Sequence, residues 1–282
     1  MKIFIVRTIT SVFFVAAVVS SFLRPEAMVL LFALVTGLTL WEFTGLVNDS
    51  GRAVVNRFIS TAAGVYLFMA MSGFASNLTP SSVFIPYLLT LVYLLVAELY
   101  LKQADPLADW AYTMMSQMYV ALPLSLINVL AFHAVDGDVT YTLALPLSIF
   151  VFLWLNDAGA YCIGSLLGRH KLFPRISPGK SWEGSIGGAV LVVAGSVAVY
   201  YLVRQYGLQP ASLTLLEWVG LGLVVVVFGT WGDLVESLMK RTLGIKDSGN
   251  ILPGHGGMLD RFDSTLTALP AAVVYLYTLT LL

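Results

Sequence analysis

Residues 185–203 read SIGGAVLVVAGSVAVYYLV, from Ser185 to Val203 without one charged side chain. A helix of about 20 such residues crosses the ~30 Å hydrocarbon core of a bilayer. The stretch lacks the polar face of an amphipathic helix and the alternation of a half-buried strand. Its surroundings are of the same kind. Of the 282 residues, 58% are hydrophobic and 11% are charged, whereas soluble domains carry about 25% charged residues. The chain reads as an all-α, polytopic membrane helix bundle.

Working outward from that stretch, apolar runs between charged or turn-forming breaks predict about nine transmembrane helices. They are Ile9 to Leu23, Met28 to Val47, Phe58 to Ala75, Val83 to Leu101, Trp110 to Phe132, Tyr141 to Leu167, Ser185 to Val203, Trp218 to Val235 and Phe262 to Leu282. Lys2 and Arg7 ahead of the first run resemble a cleaved signal peptide, but the spans that follow favour a retained helix. Two regions are expected: residues 1–140 with five spans, and residues 141–282 with four spans and two basic loops. No separate soluble domain is expected.

Alternation of the breaks tests the count, because cytoplasmic loops collect Lys and Arg. With the N-terminus cytoplasmic and the C-terminus outside, thirteen of the fifteen basic residues fall inside, and only Arg24 and Arg204 fall outside. Merging or splitting one span destroys this bias. The loops Gly168 to Gly184 and Glu236 to Arg261 hold eight of the fifteen, on the cytoplasmic side. A net charge of −1 argues against a nucleic-acid partner. The lone Cys162 reads as a small buried thiol.

Acids within membrane spans are costly and mark function by default. The simplest reading of Glu42 and Glu98, each near a cytoplasmic helix end, is an acid at the interface or paired with a neighbouring helix. Asp157 precedes a stripe of Ala160, Gly164 and Gly168, which places it toward the bundle interior, in a site or in a structural hydrogen bond. Asp233, Glu236, Ser237 and Lys240 share one helical face. Asp260 and Asp263 lie one turn apart at the start of the last helix. Helix-dipole stabilisation explains one acid there, whereas two acid pairs flanking a basic loop suit a hard divalent cation. Between them run Lys240-Arg241, Lys246-Asp247-Ser248-Gly249 and Leu252-Pro253-Gly254-His255-Gly256-Gly257. Glycines there permit the positive-φ backbone that turns amides toward an anion. No P-loop is present, so the residues alone indicate a metal and a phosphate-binding loop. Lys180, between Pro178-Gly179 and Ser181 just before a helix, has the same anion chemistry. Arg169, Lys171 and Arg175 fit an anchor at anionic head groups. His133 and His170 read as bystanders.

The run from Ser237-Leu238-Met239-Lys240-Arg241 through Lys246-Asp247-Ser248-Gly249 to Leu252-Pro253-Gly254-His255-Gly256-Gly257-Met258-Leu259-Asp260-Arg261-Phe262-Asp263 resembles the phosphatidate cytidylyltransferase signature at every fixed position. Ser177-Pro178-Gly179-Lys180-Ser181-Trp182-Glu183-Gly184 is similar to that family's second common segment, and Gly232-Asp233 to the approach to its signature. The resemblance covers about Asn156 to Asp263. It implies transfer of CMP from CTP to phosphatidic acid with release of pyrophosphate, magnesium (one or two ions) as cofactor, a homodimer, and a bacterial-type inner membrane with the site facing the cytoplasm. On that reading Asp233, Asp260 and Asp263 are metal ligands. Lys240, Arg241, Lys246, His255 and Arg261 hold phosphates, and Lys180 binds substrate phosphate. Ser181, Ser237, Asp247, Gly256 and Gly257 complete the substrate-binding set. A CTP-dependent kinase of polyprenol or phytol type would need a base to deprotonate an alcohol. An ion-coupled transporter would often show inverted repeats and interrupted helices, and no repeat is visible. A CDP-alcohol phosphotransferase would open D-G-x-x-A-R, which is absent.

Overall fold

The computed structural model describes residues 2–135, 138–208, 213–249, 251 and 256–279. Helices α1 (Lys2–Ser21), α2 (Pro25–Asp49) and α3 (Arg57–Ala75) come first, and a 3-10 turn then leads into α4 (Ile85–Leu101). Helix α5 (Pro106–Ser116) passes through a π turn, Gln117–Ala121, into the short α6 (Leu122–Ser125) and α7 (Ile127–Ala131). Next come an antiparallel hairpin of β1 (Phe132–Val135) and β2 (Asp138–Tyr141), then α8 (Ala144–Leu167). A second hairpin, β3 (Lys171–Phe173) and β4 (Ser177–Ser181), leads to α9 (Trp182–Tyr206), α10 (Leu215–Thr242), α11 (Leu259–Phe262) and α12 (Thr265–Thr278).

Seven stretches among the described residues are long and apolar enough to cross a membrane, and they correspond to the second through eighth expected spans. The first expected span coincides with the apolar part of α1, Ile9–Ser21, and the last with the 14-residue α12. The only sheet among the described residues is the two small hairpins.

Local chemistry accounts for the boundaries. Asn56 and Asp105 cap α3 and α5 by accepting the amides of Ile59 and Ala108 at 3.0 and 3.1 Å. Ser181 caps α9 by accepting the amide of Gly184 at 3.2 Å. The π turn precedes Pro123. Pro123 has no amide hydrogen to donate to the preceding turn and its ring crowds the carbonyl four residues back, and a widened turn relieves both. In α2 the hydroxyls of Thr36, Thr39 and Thr44 donate to carbonyls four residues earlier at 2.7–2.8 Å, so these buried hydroxyls are satisfied without leaving the helix.

The chain forms two compact units. The first comprises Met1–Val129 and Leu243–Phe262; the second comprises Leu130–Thr242 and Asp263–Leu282. A cut at residue 140 would leave residues 243–262 with the second half, yet they pack into the first. The Phe262 ring meets those of Phe14 and Phe32 at centroid distances of 5.8 and 6.1 Å, and Leu259 and Phe262 are fully buried.

In the second unit α8, α9, α10 and α12 pack together. A Cβ on Gly159 would lie 2.8 Å from Gly188 Cα and 2.9 Å from the Gly187 carbonyl oxygen, and one on Gly184 would lie 2.9 Å from the Ala160 carbonyl oxygen. The expected small-residue stripe is thus the α8–α9 seam, with Gly159 added to it. Backbones approach this closely because dispersion, not water exclusion, holds membrane helices together. Cys162 is exposed, contrary to the buried thiol expected, because the seam takes the face that carries Gly159 and Gly164. Gly159→Ala should lower unfolding stability by about 1–3 kcal/mol, read as a lower thermal midpoint in detergent; an unchanged midpoint would show that the seam is looser than the backbone distances imply.

Candidate functional site

Gly232 decides where the acids of the second unit go. A Cβ there would lie 2.8 Å from the Asp263 carbonyl oxygen and 3.2 Å from Ser264 Cα. The absence of a side chain lets α10 close on the start of α12, one residue from Asp233. The half-buried Asp263 carboxylate interacts electrostatically with Asp233, Asp157 and Lys240.

The face expected on α10 is formed. Ser237 Oγ donates to Asp233 Oδ1 at 3.2 Å, and Lys240 Nζ lies 2.6 Å from Glu236 Oε2, an acid with no exposed surface. Lys180, at the end of the second hairpin, reaches across to this face. Its Nζ lies 2.7 Å from Asp233 Oδ2 and donates to the Thr230 carbonyl at 3.3 Å. Asn156, Asp157, Tyr161, Lys180, Ser181 and Thr230 line a cavity of about 210 Å³. Asp157 is exposed to this cavity and not enclosed between helices.

Glu183 holds the hairpin in place. Its carboxylate accepts the amides of Arg169 and His170, each at 3.2 Å, and contacts His170 Nδ1 at 2.5 Å. His170, read as a bystander, is paired with Glu183, because the hairpin brings together residues thirteen apart. His133 is buried in the first hairpin, and burial holds its imidazole below the ordinary range.

The signature loop lies in the first unit. Asp260 Oδ2 accepts the amides of Ser248 at 2.9 Å and Gly257 at 2.8 Å, and the Asp260 amide donates to Ser248 Oγ at 3.3 Å. One carboxylate oxygen thus ties together two points of the loop. Gly256 has φ +82, the left-handed region expected of this glycine-rich run, whereas Gly257 does not. Lys246, Asp247 and Arg261 are exposed, as is Arg241 in the second unit. His255 lies outside the described residues.

Among the described residues no three of His, Cys, Asp and Glu gather to hold a metal by themselves. Magnesium, which the resemblance implies, needs only one or two carboxylates, with substrate phosphates supplying the rest. Asp233 and Asp263, close enough to feel each other's charge and carrying only oxygen donors, fit that requirement.

Sequence reasoning alone missed three contributors: the Thr230 carbonyl, Glu183 as the hairpin anchor, and Glu42, which accepts the Leu259 amide at 2.8 Å from 217 residues away. The Glu of the second segment was a signal for Glu183. Glu42 was marked as an acid within a span, but no local signal tied it to Leu259, and none marked the Thr230 carbonyl.

Residues 5–279 match the profile of the cytidylyltransferase family. The chain is 33% identical over 267 residues to a Staphylococcus haemolyticus protein named phosphatidate cytidylyltransferase, covering 94% of this chain and 96% of that one. A Haemophilus influenzae protein of the same name is 30% identical over 280 residues, covering 94% and 95%. A Staphylococcus aureus protein, also of that name, is 42% identical over 164 residues, 57% of each chain.

Glu183→Ala should release the Arg169 and His170 amides and open the hairpin. Trypsin cleavage at Arg169 and Lys171 should then speed up several-fold, since proteolysis follows local opening. Unchanged cleavage would show that the strand pairing suffices alone.

Proposed function

We propose that this chain, which belongs to the cytidylyltransferase family, transfers CMP from CTP to phosphatidic acid, giving CDP-diacylglycerol and pyrophosphate. The observation that carries the reading is the Lys180–Asp233 pair at the edge of a cavity lined by Asp157, Ser181 and Thr230. A lysine engaged with a carboxylate and a carbonyl is poised to exchange those partners for phosphate oxygens. In the reaction a phosphatidate oxygen bonds to the α-phosphorus of CTP while the bond from that phosphorus to the bridging oxygen breaks, and pyrophosphate leaves. That nucleophile is already ionised near neutral pH, so the protein must align two polyanions and screen their charge.

Asp233 and Asp263 would hold magnesium, which when bound supplies neutralisation of polyphosphate charge. Lys180, Lys240 and Arg241 in the second unit, and Lys246 and Arg261 in the first, are proposed as phosphate-holding cations. Asp260 has Oδ2 committed to two amides and acts first through the loop it fastens. A shifted magnesium dependence in Asp260→Asn would identify it as a ligand as well.

The charge bias of thirteen basic residues against two supports nine spans with the N-terminus inside, the C-terminus outside and the basic loops at the cytoplasmic face. CTP would then arrive from the cytoplasm and the lipid laterally from the bilayer. Placement in a bacterial inner membrane and homodimer assembly are proposed on the resemblance.

Purified protein with CTP, magnesium and phosphatidate should release pyrophosphate and form CDP-lipid; CDP and a phosphorylated alcohol would instead identify a lipid kinase. Asp233→Asn should lose activity on the order of a hundredfold while inserting normally, whereas Lys102→Ala, on an exposed helix end, should be nearly silent. Near-normal Asp233→Asn activity at low magnesium would sink the metal assignment.

A further inference from the structure

Glu42 lies in α2, outside the region that carries the family motifs, and only 6% of it is exposed. Of the two readings its position allowed, the structure shows the paired one. Its Oε2 accepts the Leu259 amide at 2.8 Å. Its carboxylate also fills the space where side chains at Gly249 and Gly257 would begin, with the Ser248 hydroxyl beside it. Neither Gly249 nor Gly257 has positive φ, so conformational freedom does not account for glycine at these places. The space taken by Glu42 does.

We infer that Glu42 is the positioning residue of the signature loop, a buried acid on α2 against which Ser248, Gly249, Gly257 and Leu259 are gathered. Asp260 ties the loop to itself, through Ser248 and Gly257. Glu42 ties it to the helix bundle of the first unit, through Leu259. An apolar residue at position 42 would leave the Leu259 amide without its partner in a buried place, and an unmet buried donor is costly. What matters is the reach of the side chain and an oxygen at its tip, more than a negative charge.

The enzymatic arm of the test rests on the proposed function; the exchange arm does not. Wild type, E42Q, E42D and E42A are purified in detergent. Hydrogen exchange at the amides of Ser248, Gly257 and Leu259 is measured without substrate, and CDP-lipid formation is measured separately. Glutamine keeps the length and an acceptor oxygen, so E42Q should stay within about threefold of wild type on both readouts. Aspartate keeps the charge and loses the reach, so E42D should exchange at least about tenfold faster and lose activity about tenfold or more, the equivalent of one hydrogen bond. E42A should resemble E42D. If E42A does not accumulate, the contrast between E42D and E42Q decides. If E42D also fails, G257A decides, because its methyl group meets the Glu42 carboxylate and should speed Leu259 exchange. The inference is overturned if E42D matches wild type while E42Q fails, if exchange is unchanged throughout, or if faster exchange leaves turnover undiminished. Wild type without CDP-lipid formation but with the expected exchange pattern would overturn the functional reading and leave the loop assignment standing.

Discussion

Ionised groups in an apolar chain are stable only where amides, hydroxyls or opposite charges replace water, and the acids of this protein are distributed accordingly. Glu42 takes the Leu259 amide, Asp260 the amides of Ser248 and Gly257, and Glu183 the amides of Arg169 and His170. Glu236 takes the ammonium of Lys240, and Asp233 that of Lys180. Each pairing fixes a loop or a helix face, so the cost of placing charge in an apolar surrounding is turned into positional order. Both basic loops are held this way, by a carboxylate reaching into their backbone.

Close backbone approach is the second condition. Gly159, Gly184 and Gly188 let α8 and α9 touch, and Gly232 lets α10 meet the start of α12 beside Asp233. Without that approach Lys180, at the mouth of α9, would not reach α10. The glycines of the second unit therefore determine the cavity as much as its charged residues do. In the first unit Gly249 and Gly257 have a different task, leaving room for Glu42.

Much of the helical layout was readable in advance, because a charge-free run of span length has few alternatives. Seven of the expected spans reappear as helices long and apolar enough to cross a bilayer. The shared face of Asp233, Glu236, Ser237 and Lys240 was readable too, since helical spacing places residues three and four apart side by side. The two hairpins were not readable, because short strands in loops carry little periodicity. The pairing of His170 with Glu183 followed from one of those hairpins and was hidden with it. Cys162 was misread because an apolar run does not say which side of a membrane helix faces its neighbour.

By itself the sequence determined the solvent class, the helices, the acids worth attention and the motifs that mark the family, since each is a property of composition or local spacing. Only the tertiary structure decided which acid serves a partner outside its own helix. Glu42 and Leu259 stand 217 positions apart, and no local pattern links an isolated acid in one helix to an amide in a distant loop. The same holds for Lys180 and Thr230, fifty positions apart. Residues 243–262 join the first unit and not the second for this reason: a buried carboxylate and a fully buried phenylalanine, Phe262, pack them there, and such contacts exist only once the chain has folded.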